Sequence, residues 1–336
     1  MSADDRDFRI FGMELSPYSV KVRSYFRYKR IPHRWIVRSA DQQAEFQKYA
    51  KLPLVPLVVT PEGQGIQDST PIIEALEERF PDPSVHPADA TLRFLSALIE
   101  EFGDEWGNKW MFHYRWARDV DQRSAAARLV KEAMPGADAD TLAKAAEVMR
   151  ERMVGRVWFV GSSAETAPQI EDSFREGIGL LDAHLAKRPY LFGARPVFAD
   201  FGLWGQIYEA STDPTPGGLL RERAPNAIAW VERMLDPQPG GELETLEALA
   251  PTLVPLLETQ VGRRFLPWSD ANARAIAAGS DSFSVELDGR TYTQKPQKYH
   301  ARSLAALRAR YAAAGSHPPL ERILEETGCL RWLRTA

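Results

Sequence analysis

The spacing of apolar residues changes once along this chain, and that change constrains the fold more than any other feature. Up to about residue 80, short apolar runs alternate with amphipathic stretches. Residues 7–12 read as a strand, 17–29 as a helix and 34–37 ("RWIV") as a second strand, followed by a polar helix from Ala40 to about Ala50. A strand at 57–60, a Pro-Glu-Gly turn, a short strand around Ile66 and a helix from Thr70 to Phe80 complete the unit. The order β-α-β-α-β-β-α predicts a small α/β domain with a parallel sheet and right-handed crossovers, plus an antiparallel hairpin at Pro61 to Gly63. The proline-rich segment "PDPSVHPADA" then reads as a linker. Beyond it the period is helical almost throughout, over about 88–117, 122–155, 167–187, 198–210 and 225–235, which predicts a second, all-α domain.

Length and charge exclude several classes of function. A chain of 336 residues, 44% hydrophobic and 26% charged, can bury a substantial core in two domains. Its net charge of −4 leaves no basic footprint, and the arginines are spread along helical stretches, so nucleic acid is not expected as a partner. No apolar run approaches the roughly 20 residues of a membrane span. The start, "MSADDRDF", is acidic where a secretory signal would be basic and then apolar; a cytoplasmic protein with no membrane partner is expected. Cys329, the one cysteine, excludes an intrachain disulfide, a C-x-x-C redox pair and a thiolate zinc cluster.

Serine-proline at the strand-to-helix junction in "LSPYSVKVR" suits a helix N-cap at Ser16, because the missing N–H of Pro17 costs nothing at the first helical position. Three further motifs stand out: "LVPLVV" at the third strand, "QDSTPIIEALEERF" as strand, turn and helix, and "YLFGARPVFADFGLWGQ" in the helical half. In this order and spacing the four resemble the cytosolic glutathione transferase family over roughly residues 7–236. The resemblance implies a thioredoxin-like α/β N-terminal domain (1–81), an all-α substrate domain of glutathione-transferase type (88–241), and glutathione as co-substrate. It also implies a homodimer.

Each motif then acquires a chemical reading. Glutathione's thiol must lose a proton to become a nucleophile, and a helix N-terminus with a hydroxyl donor favours the thiolate. In serine-type and omega-type members the functional Ser or Cys lies five residues before the basic residue of an "RVR"-like pattern, which here selects Ser16 ahead of Lys21, with Tyr18 and Ser19 as second choices. The cap role and the donor role can share one hydroxyl. By the same resemblance the Val55–Pro56 bond is cis and aims the Val55 main chain at the cysteinyl part of glutathione; otherwise Pro56 simply opens a buried strand. Asp68 would meet the γ-glutamyl ammonium. Ser69, read as the N-cap of the following helix, would meet its carboxylate. The segment "YAKLPL" lacks the "NPxGK"-like pattern that many members use for the glycyl carboxylate, leaving Lys51 or His33 as substitutes. Asp200 resembles the acid of a buried capping box whose hydroxyl position is Val197, a structural role.

On the substrate side, "EFGDEWGNKWMFHYRWARD" concentrates aromatics in a helix that borders the electrophile pocket in the family. Core packing is the default for such residues, with Trp110, His113 and Tyr114, and Tyr18 across the cleft, as the candidates for contact with a hydrophobic electrophile. Residues 242–336 lie outside the resemblance: an apolar helix, "LPWSDANARAIAAG", a hairpin around Asp288-Gly289, a helix at about 298–314 and a short one from Pro318. They form either a small third domain or an extension packed on the helical domain, and the second is favoured because one hairpin with three helices has little core of its own. Two functions fit: a transferase joining glutathione to a hydrophobic electrophile, or a non-catalytic binding or assembly protein with an incomplete glutathione site.

Overall fold

The structure, a computed structural model, describes residues 7–315 and 317–334. Strand β1 (Phe8–Gly12), helix α1 (Pro17–Tyr28) and strand β2 (His33–Val37) form a β-α-β unit in which β1 and β2 pair in parallel, Phe8 opposite His33 and Gly12 opposite Val37. After α2 (Gln43–Tyr49) come β3 (Leu57–Val59), β4 (Gly65–Gln67) and α3 (Ser69–Arg79), and the sheet order is β2-β1-β3-β4. The sheet is therefore mixed rather than parallel, since β3 runs antiparallel to β1 as well as to β4. Helix α2 is only about 10 Å long at 1.5 Å per residue. It does not carry the chain back along β2, so β3 enters at the end where β2 left off, Leu57 opposite Phe11. Strand alternation then sorts the core: Phe8, Ile10 and Val58 face α1 and α3, while Phe11, Leu57 and Val59 pack against Phe46 of α2.

Helix α4 (Ala90–Phe102) runs through a π-helical turn, Gly103–Gly107, into α5 (Asn108–Ala117). The stretch 122–155 forms two helices, α6 (Asp119–Ala133) and α7 (Ala139–Val154), because Pro135-Gly136 breaks it with Gly136 at φ 88°. Helices α8 (Ala167–Leu185), α9 (Phe198–Thr212), α10 (Pro214–Arg223) and α11 (Pro225–Arg233) complete the bundle. Helix α9 is buried along nearly its whole length, and glycine makes that possible. A Cβ at Gly205 would lie 2.6 Å from the Pro17 carbonyl oxygen, and one at Gly103 2.6 Å from the Leu203 nitrogen. Without a hydroxyl at Val197, Asp200 still accepts from the N–H groups of Val197 and Leu191 and from Trp230 Nε1, each at 2.9 Å. Burial raises its pKa to about 6.

The extension continues the same core. Helix α12 (Leu246–Leu256) lies on α8 and passes through a π-helical stretch, Leu257–Phe265, into α13 (Leu266–Ala278). Strands β5 (Phe283–Leu287) and β6 (Arg290–Gln294) turn at Asp288 and Gly289, both at positive φ, as an Asp-Gly hairpin requires. Helix α14 (Lys298–Ala314) packs on α4, and α15 (Pro318–Glu326) and α16 (Leu330–Leu333) end the described chain. Hairpin and α13 wrap around Lys109 of α5, which is 1% exposed and donates to the Val160 carbonyl (2.8 Å) and Gln294 Oε1 (2.7 Å). Its ammonium lies 3.9 Å from the centre of the Trp268 ring, and burial pulls its pKa well down. Among the described residues no helix is long and apolar enough to cross a membrane.

Truncation after Gly241 exposes the apolar faces of α4, α5 and α8 at roughly 0.8 kcal/mol per uncovered methylene and should give insoluble or poorly folded protein; a soluble fragment melting at the wild-type temperature would contradict it. His184, fully buried, bonds Leu191 O at 2.7 Å and Thr252 Oγ1 of α12 at 2.8 Å, and burial lowers its pKa to about 4. Between its ordinary value near 6.5 and about 4 the unfolded chain binds a proton that the folded chain refuses, so stability should fall as pH falls through that window, by up to about 3 kcal/mol from this group. His184→Gln should flatten the dependence in melting curves between those limits; an unaltered slope would show that other groups carry it.

Candidate functional site

The site begins where α1 begins. Ser16 is its N-cap with extended backbone, and its Oγ accepts from the Ser19 N–H at 3.3 Å. Two packing contacts fix this helix start. Arg115, buried in an ion cluster with Glu209 and Asp213 at 2.7 Å each, donates to the Leu15 carbonyl at 2.9 Å, and Gly205 lets α9 close on Pro17. Ser16 is partly exposed, and among the described residues its O–H donates to no protein acceptor, so that proton is available to a ligand. The second choices are differently placed. Tyr18 donates to the Asp104 carbonyl at 2.9 Å with its pKa pushed well up, chiefly by burial, and the Ser19 hydroxyl is sealed inside the fold.

The Val55–Pro56 bond is cis and leads directly into β3. The loop before it is held by one side chain that the sequence reading missed. Gln67 accepts from the N–H groups of Lys51 (2.7 Å) and Leu52 (2.9 Å) and donates to the carbonyls of Leu52 (2.8 Å) and Leu54 (2.9 Å). Asp68 follows at φ 78°, ψ 133°, a conformation that a non-glycine residue adopts only when its surroundings impose it. This reversal makes Asp68 the N-cap of α3 and Ser69 its first residue, contrary to the expected cap at Ser69. The Ser69 hydroxyl turns inward to Asp104 Oδ2 at 3.4 Å.

Beneath these elements lies a buried ion cluster. Lys21 Nζ, fully buried, meets Glu100 Oε1 and Asp104 Oδ2 at 2.6 Å each and Thr70 Oγ1 at 3.2 Å. Burial alone would lower the lysine's pKa, but the carboxylates of Asp104 and Glu100 outweigh it and raise the value. Desolvation pushes the Asp104 pKa up, against the pull of the Lys21 ammonium.

Above the cluster opens a cavity of about 530 Å³. Four of the residues proposed from the sequence line it together: Tyr18, Val55, Pro56 and Asp68. Ser16 and Ser69 lie outside the lining, Ser16 at the helix start two residues before Tyr18 and Ser69 directly behind Asp68. Lys51 stands at the cavity and His33 does not, since His33 bonds the Ile31 carbonyl and packs on Phe26. Trp110, His113 and Tyr114 are corrected to core. Trp110 donates to Ser173 Oγ (2.9 Å), His113 bonds Ser162 Oγ (2.8 Å) and Glu171 (3.2 Å), and Tyr114 packs on Phe174 with 4.8 Å between ring centres. Their face of α5 is turned to α8. One wall residue comes from far along the chain: Tyr299 of α14, whose hydroxyl donates to Asp68 Oδ2 at 2.9 Å. No local pattern marks it, because the contact spans 231 residues.

The family model described as "Glutathione S-transferase, N-terminal domain" matches residues 10–84, and that for "Glutathione S-transferase, C-terminal domain" matches residues 164–233; both matches end before the extension. The chain is 23% identical over 233 residues to the isoprene-epoxide–glutathione S-transferase of Rhodococcus sp. (strain AD45), an alignment covering 66% of this chain and 92% of that protein. Solved structures similar to it include the beta-etherase LigF from Sphingobium sp. strain SYK-6 (18% identity, TM-score 0.46, 68% of this chain and 94% of that one). FzlA from C. crescentus is another (17% identity, TM-score 0.43, 75% and 92%).

Lys21→Ala leaves Glu100 and Asp104 buried without their cation, so it should destabilise the fold by about 3–5 kcal/mol in denaturant unfolding at neutral pH. A loss below about 1 kcal/mol, the range of an exposed pair, would show that the cluster is hydrated.

Proposed function

This chain belongs to the glutathione S-transferase family, and we propose that it is a working transferase that binds glutathione in the cavity beside α1 and joins it to a hydrophobic electrophile. The observation that carries the reading is the convergence of the Val55 main chain, Asp68 and Lys51 on one cavity, at the mouth of a helix whose capping hydroxyl keeps its proton free. These groups suit the tripeptide in order. Asp68 offers a carboxylate to the γ-glutamyl ammonium, and the N–H groups of Ser69 and Thr70, unpaired among the described residues, suit its carboxylate. Val55 offers strand-like main-chain pairing to the cysteinyl unit, and Lys51 supplies the cation for the glycyl carboxylate, the group for which the sequence pattern gave no certain partner.

In the reaction the thiol proton passes to solvent, and the Ser16 hydroxyl and the α1 N-terminus stabilise the thiolate left behind. The sulfur lone pair then forms a bond to the electrophilic carbon. In an epoxide, the class named for the Rhodococcus relative, the C–O bond breaks and the oxygen takes a proton from water. A homodimer acting in the cytoplasm, where thiols are kept reduced, completes the proposal.

Calorimetric titration with glutathione tests binding, and conjugation of a terminal epoxide tests turnover. Ser16→Ala should lower the conjugation rate about a hundredfold, the usual effect of removing one donor to a developing anion, and leave glutathione affinity nearly unchanged. Equal rates in wild type and Ser16→Ala would move the thiolate donor elsewhere. Tight binding of glutathione with no turnover of any electrophile would favour the non-catalytic binding protein instead.

A further inference from the structure

The extension does more than cover apolar surface, because it places a hydroxyl at the ligand cavity. Tyr299 is the second residue of α14, and the residue is 51% exposed while its hydroxyl reaches Asp68 Oδ2 at 2.9 Å. Helix α14 cannot drift from this position without breaking ties to both domains. Arg310 pairs with Glu74 of α3 at 2.6 Å, Ser303 donates to Glu105 of the π-helical turn at 2.9 Å, and His300 bonds the same Glu105. The helix therefore spans the seam between the α/β domain and the bundle, with Tyr299 at the end nearest the cavity.

Asp68 is a residue whose side chain needs fixing. It caps no N–H group of its own helix, and its backbone is held at positive φ. Tyr299 donates to one carboxylate oxygen, and among the described residues the other accepts from no protein donor. A phenol supplies a hydrogen bond without supplying positive charge, so it orients the carboxylate and leaves its charge to a ligand cation. An arginine in the same place would have neutralised it.

We propose that Tyr299 is a positioning residue for ligand recognition, holding Asp68 so that its free oxygen meets the α-amino group of glutathione. The extension is then part of the binding site, and the ligand selected is one carrying an ammonium beside the γ-glutamyl carboxylate. This rests on the glutathione reading above.

The test compares full-length wild type and Tyr299→Phe in calorimetric titrations with two ligands, glutathione and glutaryl-cysteinylglycine, which lacks only the amino group. Phenylalanine keeps the wall and removes the hydroxyl, and at a half-exposed residue it should leave the melting temperature unchanged. The variant should bind glutathione about tenfold more weakly, as for loss of a hydrogen bond to a charged group, and bind the deamino ligand as wild type does. Unchanged glutathione affinity, or an equal loss for both ligands, overturns the role assigned to Tyr299 while leaving the transferase reading intact. A wild-type protein that binds neither ligand overturns both.

Discussion

The arrangement around the cavity depends on one buried carboxylate, Asp104. It receives the ammonium of Lys21 from α1 and the hydroxyl of Ser69 from α3, and its own main-chain carbonyl receives the hydroxyl of Tyr18. Two helices of the α/β domain, α1 and α3, are thus tied by three side chains to one turn of the helical domain. Burying such charges costs several kcal/mol per ion, and mutual attraction offsets this only when the partners are close and well aligned. Here Glu100 takes a second contact to the same ammonium, and Thr70 bridges both. A cluster of this kind adds little net stability over apolar packing. It does fix where α1 and α3 stand, and with them Tyr18 and Asp68 at the cavity wall.

Asp104 reaches its position because the helix is π-wound at Gly103–Gly107. One extra residue in the turn rotates the following side chains, and Gly103 gives the room for α9 to lie against it. The same principle of closeness recurs at Arg115, where Glu209 and Asp213 hold the guanidinium that fixes Leu15. In both places a charge buried in the bundle sets the geometry of the chain entering α1. The bundle acts as the rigid support, and the α/β domain presents main chain and caps to the cavity.

Much of the fold was legible in the sequence because it is written in periods and punctuation. Strand alternation at 8–12 and 57–59, proline after Ser16, and Asp-Gly at 288–289 each act locally, and each element formed where it was read. Direction was not legible in the same way: β3 runs antiparallel to β1 because α2 is short, a fact of length and route rather than of pattern. The site divides along the same line. Val55, Pro56 and Asp68 come together because they sit at ends of elements whose order was known. Gln67 was passed over as a strand residue although its side chain carries four bonds to the 51–54 loop. Trp110, His113 and Tyr114 drew notice as an aromatic cluster, yet helix register turns them to the core, and register across a π-turn shifts by a residue that composition does not reveal. Tyr299 could not have been found at all without the packing of α14.

The central claim is that the Ser16 cap at the start of α1 stabilises a glutathione thiolate. Its most direct measurement is the pH at which bound glutathione ionises, followed by the ultraviolet absorbance of the thiolate with the protein in excess. The account predicts ionisation well below the value of about 8.5 typical of a free cysteine thiol, and a return toward that value in Ser16→Ala. Ionisation at the free value in the wild type, or a lowered value that Ser16→Ala leaves in place, would contradict it.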